Sequence, residues 1–185
     1  MIGKSGSGKG TQAKLLGEKT GFRVFSVGNR LREFAEEDTP LGKRVKATID
    51  GGHLVPSWLA GYLFKEAAFP LSNSEGIIYE GTNRKLLEAE IFHNVMEWLE
   101  RPYRAVLFDI SDEEAMRRLS KRGMLGRRAD DSEEGARERL AWFRTETLAV
   151  VDFFREKGML VEVNGEQEEQ AVFAEMIAKL EASGR

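Results

Sequence analysis

Cysteine is absent from the 185 residues, which excludes disulfides and any metal site built on thiolates and fits a reducing compartment such as the cytoplasm. Histidine is scarce: His53 and His93 are too isolated to suggest a metal site, and surface or packing roles are expected for both. No apolar run approaches the length that spans a bilayer, and no signal peptide is visible, so no membrane partner is expected. Excess basic charge is missing too. With a net charge of −3, general nucleic-acid binding is not expected and any basic site must be local. What is present is 41% hydrophobic and 32% charged residues, the balance of a globular chain, at a length that fits one domain with a real core.

The stretch "GKSGSGKGT" (3–11) packs four glycines and three hydroxyl side chains into nine residues, directly ahead of a helix-forming run. Such a segment suits a phosphate chain. Glycines let successive N–H groups turn inward, and the following helix adds its positive dipole end. Gly3, Gly8 and Lys9 match the P-loop spacing G-x-x-x-x-G-K, with Lys9 as a mobile charge for the outer phosphates. The pattern departs from the general motif after the lysine, where Gly10 stands in the place of Ser or Thr and Thr11 follows. Thr11 then suits an inner phosphate, and magnesium is left to water and carboxylates elsewhere. The motif calls for a buried strand ahead of it, in the middle of the sheet, yet only Met1 and Ile2 precede it. The expectation is that the sequence starts late relative to that strand.

Further along, strand and helix patterns alternate. Strands are predicted at 22–27, 76–80, 103–110 and 159–164, with helices between them, including a pair divided by Thr39-Pro40 and one long helix over 132–157. Trp98, Trp142, Phe143, Leu140, Val151 and Phe154 read as core, and the last helix as an amphipathic cover. The alternation predicts an α/β fold, a parallel sheet with helices on both faces and ligands at the carboxyl ends of the strands.

Two further stretches carry chemistry. "RRLSKRGMLGRR" (117–128) holds six basic residues in twelve and no acid, with Gly123 and Gly126 expected to interrupt its helix. Beside a phosphate loop it reads as a flap whose arginines close on a transferring phosphoryl group, with Arg137 and Arg139 as candidates for the same cluster. "IIYEGTNRK" (77–85) delivers Glu80, Gly81 and Arg84 to the end of a buried strand, where Gly81 permits close approach and Arg84 can grip a second phosphate.

With these residues assembled, the chain resembles the adenylate kinase and nucleoside monophosphate kinase family over essentially its whole length. "GKSGSGKGTQ" is similar to the family's P-loop, "FSVGNRLRE" and "LGKRVKATIDGGHLVP" to the segments that open and close its monophosphate-binding insertion, and "EGTNR" stands where the family has Asp-Gly-Phe-Pro-Arg. "RRADDSEEGARERL" resembles the lid exit and "VEVNG" the loop against the donor base. The resemblance implies a P-loop NTPase core at 1–25, 56–121 and 132–185, a small helical insertion at 26–55, and a short lid at 122–131 without zinc.

It also implies transfer of the γ-phosphoryl group of Mg-ATP to a nucleoside monophosphate by a cytoplasmic monomer, with AMP as the expected acceptor. Gly6, Ser7, Gly8, Lys9, Gly10 and Thr11 would hold the donor phosphates, Arg118 the donor base, and Gly165 the loop beside it. Arg122, Arg128 and Arg139 would close on the transferring group. Arg32 and Arg84 would bind the acceptor phosphate, with Val27, Val55, Gly81 and Glu88 around the nucleoside. No direct protein ligand to magnesium is implied, Glu80 acting through water.

The departures cluster on the acceptor side. Val27 replaces a threonine, Asn29 an aspartate, and Thr82-Asn83 a Phe-Pro pair, loosening a rigid turn. Glu88 stands where the family's glutamine reads adenine; it either faces solvent or selects the base, and a carboxylate matches the paired donors of guanine better than adenine. GMP, CMP, another small acceptor, and an ATP-binding module without catalysis therefore stand as alternatives.

Overall fold

A computed structural model describes residues 1–124 and 133–184. Two pairs of parallel strands make up its sheet. After α1 (Lys9–Thr20), β1 (Arg23–Ser26) leads into α2 (Val27–Glu36), α3 (Pro40–Asp50) and α4 (Ser57–Ala68). Then β2 (Ile77–Glu80), α5 (Leu86–Trp98), β3 (Ala105–Asp109) and α6 (Asp112–Met124) alternate; past the undescribed segment come α7 (Glu133–Trp142), a π-helical turn (Phe143–Thr147), α8 (Leu148–Glu156), β4 (Leu160–Asn164) and α9 (Glu169–Ser183).

β1 pairs with β2 and β3 with β4, and the first two residues lie between the pairs. Ile2 bridges to Leu107 in parallel; its N–H donates to the Val106 carbonyl at 2.7 Å, and its carbonyl accepts from Phe108 at 2.9 Å. On the other side the Met1 amino group donates to the Tyr79 carbonyl at 2.8 Å. Met1 and Ile2 thus take the central position that the motif calls for, in the order β1, β2, residues 1–2, β3, β4.

Alternation along β3 divides the core between two faces, as a strand's two-residue period requires. Ala105 and Leu107 join Phe64, Tyr79, Ala89, Phe92, Met96, Val150 and Phe154 under α4, α5 and α8. Val106 and Phe108 join Val161, Val163, Val172 and Met176 on the other face, with Leu16 of α1 and Leu180 of α9 packed against them. The last helix does cover the sheet.

The α2–α3 pair has a smaller core of its own, Val27, Leu31, Phe34 and Val45, closed against Val55, Leu59 and Leu63. The Thr39 hydroxyl accepts from the Gly42 N–H at 2.9 Å and Pro40 fills the first turn, so α3 starts cleanly. The backbones also touch: a Cβ on Gly42 would lie within 2.4 Å of the Phe34 carbonyl.

Four expectations are corrected. Val27 opens α2 rather than closing the strand before it, because the Ser26 side chain caps that helix. Gly123 lies inside α6, which runs on to Met124. The long helix predicted over 132–157 is divided by the π turn, where the Leu148 N–H reaches back five residues to the Phe143 carbonyl. Trp98 is 82% exposed, although Leu140, Phe143, Val151 and Phe154 are buried as expected. Gly126 and most of the stretch predicted as a lid lie outside the described residues. Among the described residues no helix is long and apolar enough to cross a membrane.

Candidate functional site

A cleft of about 1430 Å³ opens at the carboxyl ends of the strands, between the glycine-rich loop, the α2–α3 pair, and α6 with α7. The loop is laid tightly on the sheet. At Gly3, φ is 145°, and a Cβ there would stand 2.6 Å from the Phe108 carbonyl oxygen and 2.7 Å from the Ser7 hydroxyl. Ser7 is buried beneath the loop, while Gly6, Gly8, Lys9, Gly10 and Thr11 line the cleft. Gly8 caps α1 at φ 88°, so the loop runs without a break into the helix N-terminus. The Lys9 ammonium lies back across the loop, donating to the carbonyls of Gly3 and Lys4 at 2.8 and 2.7 Å.

Five arginines from distant segments join Lys9 on the same walls: Arg32, Arg84, Arg118, Arg122 and Arg139. Arg118 is steadied by Glu114, which accepts from its Nε at 2.6 Å, and it reaches the Gly6 carbonyl at 3.5 Å. Hydrogen bonds from Arg117 and then Arg118 hold the Glu114 carboxyl down to about 2. Arg32 donates to the Asn29 side chain at 2.6 Å. Arg137 does not belong to the cluster; it is tied at 2.6 Å to Glu133, one turn away on an exposed face. Arg128 lies outside the described residues.

The ends of β1 and β2 meet where the Ser26 hydroxyl donates to Glu80 at 2.6 Å. Burial alone would raise the Glu80 pKa, but Lys9, the Ser26 bond and Arg84 outweigh it and hold the group below its ordinary value. Glu80 is thus an ionised acid set among cations. Among the described residues no group of three or more His, Asp and Glu is placed to hold a metal ion.

Beyond Glu80, the turn "GTNR" is rebuilt rather than loosened. Thr82 and Asn83 are buried, and Asn83 sits at φ 56°, a conformation open to asparagine and closed to proline. Glu88 does not face solvent: it is 6% exposed, lines the cleft, and accepts from the Arg84 N–H at 2.9 Å at the start of α5. Burial raises its pKa against the pull of these backbone donors.

Val27, Val55 and Gly81 line the same cleft. Gly165 is not among its lining residues. It is buried under the loop, its N–H on the Asp109 carbonyl at 2.8 Å, where a Cβ would stand 2.8 Å from the Ile110 side chain.

The histidines behave as expected. His93 is buried with its Nδ1 2.8 Å from the Tyr103 hydroxyl, and exposed His53 lies edge-on to Trp142. Sequence reasoning missed Thr147, whose hydroxyl donates to the Arg84 carbonyl at 2.9 Å. No local pattern marks a partner 63 residues away.

Chemically, the cleft offers a curled backbone at a helix N-terminus, cations from several walls and, between the ends of β1 and β2, the ionised Glu80. That set binds and neutralises polyanions. Among protein families, the adenylate kinase model matches residues 1–159. The adenylate kinase of Phocaeicola vulgatus is 33% identical over 182 residues, which are 98% of this chain and 96% of that protein. That of Thermus thermophilus is 36% identical over 181 residues, 97% and 95% of the two chains. Adenylate kinase 1 of a Nostoc species is 33% identical over 97% and 96%.

Proposed function

We propose that this chain, which belongs to the adenylate kinase family and has its P-loop NTPase fold, transfers the γ-phosphoryl group of Mg-ATP to AMP, giving two ADP. The observation that carries the reading is the convergence of Lys9 and five arginines on one cleft floored by the glycine-rich loop. Phosphoryl transfer asks little covalent work of a protein; it needs the two substrates in line and the charge on the moving group neutralised.

In this reading the N–H groups from Gly6 to Thr11 cradle the donor phosphates, and Lys9 swings from the Gly3 and Lys4 carbonyls onto the outer ones. Arg118 lies against the donor base, and its tie to Glu114 keeps it there. Arg32 and Arg84 hold the acceptor phosphate, with Val27, Val55, Gly81 and Glu88 around its nucleoside. Arg122 and Arg139, with Arg128, close on the transferring group, where a guanidinium stays charged and binds bidentately. Magnesium arrives with ATP and spreads charge over its phosphates; the ionised Glu80 fits its water shell. Closure of the insertion at 26–55 and of the short lid at 122–131 excludes water and prevents idle hydrolysis. A monomer in the cytoplasm goes with this reading.

One observation favours a second acceptor. The buried Glu88 is acceptor-only when ionised, which suits guanine's paired donors better than adenine. A coupled ADP-release assay with AMP, GMP and CMP tests both readings. Turnover with AMP well above the others is expected; preference for GMP would make Glu88 the selector, and ATP binding with no transfer to any of them would overturn the enzyme reading.

A further inference from the structure

A second set of charges stands behind the loop, outside the cleft. Lys4, next to Gly3, does not line the cleft; its ammonium donates to the Ile110 carbonyl at 2.5 Å and pairs with Asp112 at 2.9 Å. The other oxygen of Asp112 takes Arg144, so one carboxylate joins the loop to the π turn. Hydrogen bonds from Lys4 and then Arg144 hold the Asp112 carboxyl below its ordinary value, and the link stays charged in neutral solution.

The π turn reaches further. Its Phe143 ring lies 5.8 Å from the Lys4 ammonium, and its Thr147 hydroxyl holds the Arg84 carbonyl. One turn therefore touches the donor loop through Asp112 and Lys4, and the acceptor-side arginine through Thr147. Phe143 and Thr147 are both buried, while Arg144 extends along the outside to Asp112. The wide turn adds a residue to the helix here, at a point where such turns are otherwise uncommon and frequently functional.

We propose that the π turn Phe143–Thr147 is a brace that fixes the separation of the two phosphate sites, with Lys4, Asp112, Arg144 and Thr147 as positioning residues. The proposal rests on the phosphoryl-transfer reading above. In-line transfer is steeply sensitive to spacing, and a displacement of about 1 Å can lower the rate about a hundredfold. A brace tied at both ends supplies that spacing without touching either substrate.

The test uses Thr147→Val, Asp112→Asn and their combination. Each should lower kcat about tenfold, equivalent to about 1.4 kcal/mol, with KM for ATP and AMP little changed. The combination should lose less than the product of the two, because both cut the same link. Lys4→Met should behave like Asp112→Asn, and Lys4→Arg should recover most of the loss. Amide exchange in the ligand-free protein should quicken at residues 3–8 in Asp112→Asn. Unchanged kcat with only a lower Tm, or losses that multiply in full, would overturn the brace. A wild-type chain that transfers no phosphoryl group would instead overturn the functional reading, and the exchange measurement, which needs no substrate, would still decide the brace.

Discussion

The two halves of the cleft are built from different material. On the proposed donor side the loop presents its backbone: Gly3 is pressed onto the Phe108 carbonyl, Gly8 opens α1, and three of the six loop residues that line the cleft are glycines. On the acceptor side the wall is side chains holding one another, Ser26 on Glu80, Arg32 on Asn29, Glu88 on the Arg84 N–H and Thr147 on its carbonyl. A backbone site needs only spacing and the absence of Cβ atoms. A side-chain site depends on which partner each group finds, so it changes when one residue changes. The departures from the family pattern fall on the second kind of wall.

The largest blow to this contrast comes from Lys9, the loop residue proposed to reach the donor phosphates through its side chain. Lys9→Met should lower kcat by about 10²–10³-fold, the scale for removing a preorganised charge from a transferring group. Its fold should survive, since Lys9 is only half-buried at the start of α1 and the methionine stem keeps the volume, although the bonds to the Gly3 and Lys4 carbonyls are lost. The coupled assay beside a circular-dichroism melt checks both halves, and a normal rate in the variant would remove the loop from the mechanism.

Next in size is Arg84→Ala. A charge-assisted hydrogen bond is worth about 1.5–3 kcal/mol, so KM for the monophosphate should rise about ten- to a hundredfold while KM for ATP stays near its starting value. Varying each substrate in turn makes the measurement. An effect confined to ATP would move Arg84 to the donor side and erase the division between the walls.

The same division explains what could be read from the sequence. The loop was legible because its function lies in spacing, G-x-x-x-x-G-K, and spacing is what a sequence displays. The parallel sheet was legible from its alternation, whereas the bridge that Ile2 makes between the strand pairs was not. Gly123 inside α6 was not legible, because the favourable helix ahead of it carries one glycine through in its last turn. Nor was the π turn, since Leu140, Phe143, Val151 and Phe154 satisfy a helical spacing with or without one extra residue. Trp98 ends in solvent because it stands two residues past Met96, off the buried stripe of Ala89, Phe92, His93 and Met96 on α5. Partnerships are the least visible: nothing near Lys4 in sequence points to Asp112, and nothing near Glu88 announces that it is buried.

Glu88 is where the smallest effect sharpens the comparison most. Its carboxylate accepts from the Arg84 N–H and is buried, and burial lifts its pKa above the ordinary 4.5. The folded protein therefore holds that proton more tightly than the unfolded chain. Stability from this group is full below the ordinary carboxylate range and falls as pH rises through it to the raised value. Glu88→Gln keeps an oxygen for the Arg84 N–H and removes the charge, so the variant should gain on the wild type in urea as pH rises from the acid side to neutrality, by about 1 kcal/mol or less. The same change gives the wall a donor, and the kcat/KM ratio of AMP to GMP should rise about tenfold, toward the lower end of the range for one buried mismatch. A pH-independent difference between the two proteins would mean that Glu88 carries no burial penalty. A gain in stability with an unchanged ratio would make it a helix cap alone, and the acceptor wall would then read its base through other side chains.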